Sequence, residues 1–90
     1  MDETRLKRLR FRAWRRGFRE ADLILGPFAD SHASSFSETE VVAFEALLDA
    51  ADHDVYAWIT GEPAPAPFET PLMARIRAFQ AGGGARVRQD

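Results

Sequence analysis

A cation, a glycine and a carboxylate lie close together just after the basic N-terminal segment. Arg16 and Glu20 are four residues apart and Gly17 and Glu20 are three apart, so a helical turn would place them on one face. This spacing fits an intrahelical ion pair, worth roughly a few tenths of a kcal/mol, beside a glycine at a helix joint. It fits equally a docking site, where bare backbone at Gly17 admits another molecule's main chain while both charges find partners. The residues alone leave both interpretations open.

The charges are strongly segregated along the chain. Residues 1–19 carry eight basic side chains against two acidic ones, whereas residues 20–74 carry eleven acidic side chains and no basic one. The N-terminal cations indicate either a nucleic-acid surface or a solvated helix balanced by the chain's own acidic middle, and the second is favoured. Phe11 and Trp14 interleave with them, but their helical spacing predicts core positions. The cations are Arg5, Lys7, Arg8, Arg10, Arg12, Arg15, Arg16 and Arg19.

Patterns typical of enzymes and metal sites are weak. Cysteine is absent, which excludes disulfides, thiolate metal sites and a cysteine nucleophile. Side chains that can bind a metal ion follow one another at Asp52, His53 and Asp54, but a helix cap is the favoured interpretation of this segment. His32 lies among serines without a nucleophile-elbow sequence, and the glycines at 82–84 lack the strand and the Lys-Ser/Thr of a phosphate loop. The sequence therefore predicts no catalytic, metal-binding or cofactor-binding residue.

The elements that would position these residues are helices. Apolar residues repeat at helical spacing over residues 5–15, which predicts a first helix that ends at Gly17. A second apolar stripe follows, and we expect Gly26 and Pro27 to close or kink that helix. The short, polar segment of residues 30–35 is expected to form a connector to the third helix.

The start of the third helix is the clearest local signal. Ser37 and Glu40 have the spacing of a capping box, in which each side chain bonds the other residue's backbone amide. Asp52 or Asp54 is expected to cap a fourth, short helix. Local chemistry thus predicts where these two helices begin.

The C-terminal part of the chain completes the predicted fold. Residues 62–67 alternate proline with alanine, which is typical of an extended spacer. Thr70 and Pro71 form a cap and first-turn pair that opens a fifth helix. The sequence therefore predicts an all-α fold, a bundle of five short helices, with a single small domain over residues 1–80 and a flexible tail over residues 81–90.

Length and composition agree with this fold. Ninety residues make one small domain, and 46% hydrophobic residues make the chain too apolar to remain disordered. Unbroken apolar runs are far shorter than the ~20 residues that a bilayer span requires, so we expect no membrane span. The absence of cysteine fits a reducing compartment. No long exposed apolar seam is evident, which favours a monomer.

The run from Phe11 to Asp22 resembles the signature of the SdhE family, the FAD assembly factors of succinate dehydrogenase, whose hallmark is Arg-Gly-x-x-Glu. The resemblance continues through the Phe-Ser-x-x-Glu opening of the third helix and the Asp-x-Asp-x-Tyr-x-Trp stretch that ends at Trp58. It extends to the Thr-Pro opening of the fifth helix and covers roughly residues 5–80. The ordered succession of these segments is more specific than the five-residue motif alone.

The resemblance implies a five-helix protein that binds the flavoprotein subunit of succinate dehydrogenase, and in some bacteria that of fumarate reductase. It implies that the protein promotes covalent attachment of FAD to that subunit. The chain would be a chaperone-like assembly factor and not an enzyme, because the bond-forming chemistry lies in the partner. FAD would belong to the partner and would not be bound stably by this chain. The bacterial members, which lack a long presequence, are the more similar ones, so a cytoplasmic location is expected.

The family motif also implies a contact site. Carried over residue by residue, it consists of Arg16, Gly17 and Glu20, flanked by Arg15 and Asp22. A rival function is a small nucleic-acid-binding or antitoxin-type regulator that uses the basic N-terminal helix. The assembly-factor interpretation expects no nucleic-acid partner.

Overall fold

The computed structural model describes residues 2–82, which form five α-helices and the turns and loops that connect them. No strand occurs within this range, so the predicted all-α class is confirmed. Short 3-10 turns at Ala33–Ser35 and Ala66–Phe68 precede the third and fifth helices. In chain order the helices are α1 (Glu3–Trp14), α2 (Arg19–His32), α3 (Glu38–Leu48), α4 (Asp52–Ile59) and α5 (Pro71–Ala81).

The C-terminal end of the fold differs slightly from the prediction. α5 continues to Ala81, and the amide of Gly82 donates to the carbonyl oxygen of Ala78 at 3.0 Å. Residue 81 therefore belongs to a helix and not to the predicted flexible tail. The rest of that prediction, residues 83–90, lies outside the described residues.

Two helix starts follow the predicted side-chain chemistry, and one does not. At α3, Ser37 Oγ accepts from the amide of Glu40 at 3.1 Å, and Glu40 Oε1 accepts from the amide of Ser37 at 2.9 Å, so the capping box is confirmed. At α5, Thr70 caps the helix through its hydroxyl. The cap predicted at Asp52 or Asp54 is wrong, because α4 begins after Ala51 with no side-chain cap.

α2 continues beyond Gly26 and Pro27 to His32, so the predicted alternative in which these two residues close the helix is wrong. Gly26 faces α1, where the indole of Trp14 lies so close that a Cβ at position 26 would sit 2.3 Å from its Cδ2 atom. Trp14 Nε1 also donates to Asp30 Oδ2 at 3.0 Å. This packing outweighs the amide hydrogen bond that Pro27 cannot donate. The connector expected at residues 30–35 is instead the end of α2 and a 3-10 turn.

The hydrophobic core receives apolar side chains from all five helices. Phe28 of α2 is 1% exposed, and its ring lies 6.0 Å from that of Phe36, 6.2 Å from that of Phe44 and 5.4 Å from that of Phe79. These contacts join α2 to α3, α5 and the chain between α2 and α3. Since these rings pack against one another, they fix how the helices lie on each other.

Phe11 and Trp14 are not core residues, contrary to the prediction. Phe11 is 59% exposed and Trp14 is 40% exposed. The buried stripe of α1 consists of Leu6, Leu9 and Ala13 alone. The fully buried residues of α1 therefore lie on one side of the helix, and Phe11 lies on the side opposite to them.

None of the helices described for residues 2–82 combines the length and the hydropathy that a membrane span requires.

Arg5 ties α1 to α3. Its Nη2 and Nε donate to the two carboxylate oxygens of Glu45 at 2.8 and 3.0 Å, and its Nη1 donates to Glu38 at 2.9 Å. The hydrogen bond from Arg5 lowers the pKa of the Glu45 carboxyl below its ordinary value. The backbone hydrogen bond of the capping box lowers the pKa of Glu40.

These lowered pKa values predict a loss of stability in acid. A carboxyl whose pKa is lower in the folded protein stabilises it above the unfolded pKa of about 4.3, and this contribution is lost as the pH falls through the folded pKa. We therefore expect the free energy of unfolding, measured by urea denaturation from pH 7 to pH 3, to fall below about pH 4.5. Glu45→Gln should make this fall shallower, whereas Glu62→Gln, at an exposed site, should not. An unchanged pH slope in Glu45→Gln would contradict the assignment.

Candidate functional site

The predicted contact residues cluster where α1 ends and α2 begins. Residues 15–18 form a loop between the two helices, so the motif does not lie on one continuous helix. Gly17 has a φ of +89°, which side chains of L-residues rarely adopt. It is exposed, and a Cβ built on it would meet no atom within 4 Å. The loop therefore presents bare backbone to the surface, and it is the backbone conformation that favours glycine here.

Arg16 points into the protein, with only 5% of its side chain exposed. Its Nη1 donates to the carbonyl oxygen of Leu48 at 2.8 Å, and its Nη2 donates to that of Ala50 at 2.7 Å. Nη2 also lies 2.7 Å from Asp52 Oδ1. Arg16 thus holds the chain between α3 and α4 against the loop that carries Gly17. We call these contacts the Arg16 clamp.

The expectation that Arg16 and Glu20 share one face is therefore wrong. It assumed a helical turn, but the backbone leaves the helix after Trp14 and re-enters one at Arg19. The guanidinium consequently turns inward, while Glu20 lies exposed in the first turn of α2. The intrahelical ion pair is absent among the described contacts.

Asp22 supports the loop from the α2 side. Its Oδ1 accepts from the backbone amide of Arg16 at 3.1 Å. The first turn of α2 also favours a negative charge, because helix N-termini carry partial positive charge. Asp22 and Arg16 therefore hold the loop from the side that faces the protein interior. The exposed residues of this region are Gly17, Glu20 and Arg15.

An open groove of about 440 Å³ lies beside this loop. Phe11, Arg12 and Arg15 of the α1 side form one wall, and the chain from Leu48 to Asp52 forms the other. The guanidinium carbon of Arg15 sits 4.7 Å from the centroid of the exposed Phe11 ring. A partner that contacts Gly17 would meet cations and an aromatic ring immediately next to it.

Three of the N-terminal cations are neutralised within the molecule. This confirms, for these three, the interpretation that the acidic middle of the chain balances the basic N-terminal helix. The pairs are Arg5 with Glu38 and Glu45, Arg12 with Asp49, and Arg16 with Asp52.

Each of the two histidine rings lies against a phenylalanine ring. The His32 ring lies 4.6 Å from that of Phe28, and the His53 ring lies 4.9 Å from that of Phe18. Ser35 Oγ donates to the backbone oxygen of His32 at 2.9 Å, so this hydroxyl is not aimed at an imidazole. Within residues 2–82, no group of three or more potential ligands is placed to hold a metal ion.

The sequence interpretation missed the Arg16 clamp and the exposed Phe11. One signal for Phe11 was available, because Leu6, Leu9 and Ala13 already complete a buried stripe on the other side of α1. No local signal pointed to the clamp, since its acceptors are backbone oxygens more than thirty residues away.

Comparison with known proteins identifies relatives of this chain by sequence. The family model described as "Flavinator of succinate dehydrogenase" matches residues 7–80. The "Succinate dehydrogenase assembly factor 2-A, mitochondrial" of Drosophila yakuba is 34% identical over 92 residues, which cover 97% of this chain and 57% of the relative. The "FAD assembly factor SdhE" of Acetobacter pasteurianus is 33% identical over 74 residues, which cover 81% of this chain and 68% of the relative.

The chain spans little more than half the length of the Drosophila yakuba relative. No solved structure gives a significant match to it.

Proposed function

Because this chain belongs to the family of succinate dehydrogenase flavinators, we propose that it binds the flavoprotein subunit of that enzyme and promotes covalent attachment of FAD to it. The observation that carries this proposal is the open backbone at Gly17, which is exposed and held at φ +89° in the loop between α1 and α2. A partner's main chain can approach such a position more closely than any position that bears a side chain. Fumarate reductase, where present, would be a second client of the same surface.

The loop is suited to docking because it is held in place before a partner arrives. Arg16 is fixed by its acceptors between α3 and α4, and Asp22 accepts from the Arg16 amide. A pre-organised surface loses less conformational entropy on binding than a mobile one. Glu20 then offers a carboxylate to donors of the partner, and Arg15 offers a guanidinium to its acceptors. In this proposal Arg16 and Asp22 position the surface, while Gly17, Glu20 and Arg15 touch the partner.

In this proposal the chain promotes flavin attachment by orienting the reacting groups of the flavoprotein. Docking would favour the conformation of the flavoprotein in which its histidine and its flavin are within reacting distance. The chain contributes no reacting group, so it acts as a chaperone-like assembly factor and not as an enzyme. In this proposal FAD belongs to the partner and is not bound stably by this chain.

Gly17→Arg should abolish the activity without unfolding the protein. The new side chain would point into open space, so it would block the partner but leave the core intact. Co-expression with the flavoprotein subunit, in a host without its own assembly factor, allows covalent flavin to be read as in-gel fluorescence of the denatured subunit. We expect roughly a hundredfold less covalent flavin, because small displacements at a docking surface disturb the reacting geometry strongly.

Gly61→Arg is the matched control for this experiment. Gly61 also has a positive φ, +123°, and open space around it, but it follows α4 at the end opposite to Asp52. Both variants therefore carry a similar backbone strain of about 1–2 kcal/mol. Glu20→Ala should lower covalent flavin about tenfold through the loss of a charge-assisted hydrogen bond. Equal flavin in the wild type, Gly17→Arg and Glu20→Ala would refute the proposed docking site.

A further inference from the structure

The outer side of α1 carries exposed aromatic rings among cations. Lys7, Arg10, Phe11, Trp14 and Arg15 line an open groove of about 350 Å³, and we call this surface the α1 aromatic face. Phe11 and Trp14 are among the few large apolar side chains exposed within residues 2–82. Rings in this setting provide apolar area for contact with another molecule.

The cations of the α1 aromatic face are not compensated by the described part of the chain. No carboxylate within residues 2–82 lies within 4 Å of the cationic groups of Lys7, Arg10 or Arg15. In contrast, the arginines on the opposite flank of the helix, Arg5 and Arg12, are paired with acids of α3 and its C-terminal end. The positive charge of α1 is therefore neutralised on one flank and left available on the other.

We propose that the α1 aromatic face is a second contact surface for the flavoprotein subunit and that it receives an acidic segment of that partner. An apolar side chain of the segment lies beside Phe11 and Trp14, and flanking carboxylates reach Lys7, Arg10 and Arg15. This inference rests on the proposed function. Arg15 connects the two surfaces, since it lines the groove and lies two residues before Gly17. Charge complementarity then steers the partner onto the loop.

A nucleic acid fits this surface less well. The face is bordered by carboxylates, because Asp30 accepts from Trp14 Nε1 and Glu3 lies one helical turn before Lys7. These groups would repel a continuous phosphate backbone, whereas a short acidic peptide segment can place its charges between them.

Affinity measurements on surface variants test the inference. The purified flavoprotein subunit encoded in the same genome would be titrated, at 50 and 300 mM NaCl, with the wild type and with variants. Lys7→Glu combined with Arg10→Glu should raise Kd at least about tenfold and flatten its salt dependence, because two attractive charges are reversed. Phe11→Ser should raise Kd about tenfold at both salt concentrations through the loss of an aromatic anchor.

Arg8→Glu is the matched control, because Arg8 is an exposed cation of α1 that does not line the groove. Its Kd should stay within about threefold of the wild type. If Gly17→Arg loses binding while the Lys7/Arg10 and Phe11 variants bind like the wild type, the second surface is refuted and the proposed function stands. If the wild type itself does not bind the flavoprotein, both proposals fall. An RNA complex that the Lys7/Arg10 variant loses, without an effect on flavoprotein binding, would assign the face to nucleic acid instead.

Discussion

Arg16→Ala should lower the free energy of unfolding by about 2–4 kcal/mol. The substitution would leave the carbonyl oxygens of Leu48 and Ala50 without their donors and remove a side chain that is 95% buried. The ion pair with Asp52 contributes less, because that carboxylate is 42% exposed and water screens it. Most of the loss therefore comes from the unsatisfied backbone and the space left by the arginine stem.

Urea denaturation followed by far-UV circular dichroism measures this loss. Arg12→Ala is the matched control, since the Arg12–Asp49 pair joins side chains that are 39% and 70% exposed. It should cost less than about 1 kcal/mol. Arg16→Lys should recover only part of the stability, because an ammonium cannot present the two arms of the guanidinium. Equal losses in Arg16→Ala and Arg12→Ala would contradict the clamp.

In the flavin assay, Arg16→Ala also distinguishes a residue that positions the loop from a residue that touches the partner. Arg16→Ala reduces activity by loosening the loop, so its deficit should shrink when the assay temperature is lowered and the fold is restored. The deficit of Gly17→Arg should persist at every temperature, because it arises from a side chain in the partner's path.

Phe28→Ala should lower the free energy of unfolding by about 3–5 kcal/mol. The ring is 1% exposed and contacts three other phenylalanine rings, so its removal leaves a cavity between α2, α3 and α5. A domain of this size has a total stability of about 5–15 kcal/mol, so the variant should be marginally folded at 37 °C.

The control for this experiment is Phe11→Ala, which removes a ring that is 59% exposed. It should change the free energy of unfolding by less than about 1 kcal/mol. Both values come from the same thermal or urea titration. If the two substitutions were equally destabilising, the assignment of Phe28 to the core and of Phe11 to the surface would be wrong.

Local chemistry predicted those parts of the fold in which neighbouring residues satisfy one another. The Ser37–Glu40 box and the Thr70–Pro71 start are of this kind, because donors and acceptors lie within three residues. The family resemblance rested on an ordered series of short sequence segments, and the match of the family model to residues 7–80 confirms it.

The predictions from sequence that were wrong share a different cause. Gly26 and Pro27 have the chemistry of a helix end, but contact with Trp14 on another helix keeps the helix intact. Arg16 was expected to face outward, yet its acceptors come from a turn that is distant in sequence. Interactions between remote segments decided both outcomes, and a single sequence does not display them. The roles of Gly17, Glu20 and Arg15 in binding stay predictions.

The contact between Trp14 and Gly26 has an evolutionary consequence. While the indole at position 14 keeps its present place, a side chain at position 26 is disfavoured, because even a methyl group would overlap the ring. If position 14 first changes to a small residue, position 26 becomes free to vary. A side chain at position 26 therefore requires the indole at position 14 to move, so the effects of substitutions at the two sites depend on each other.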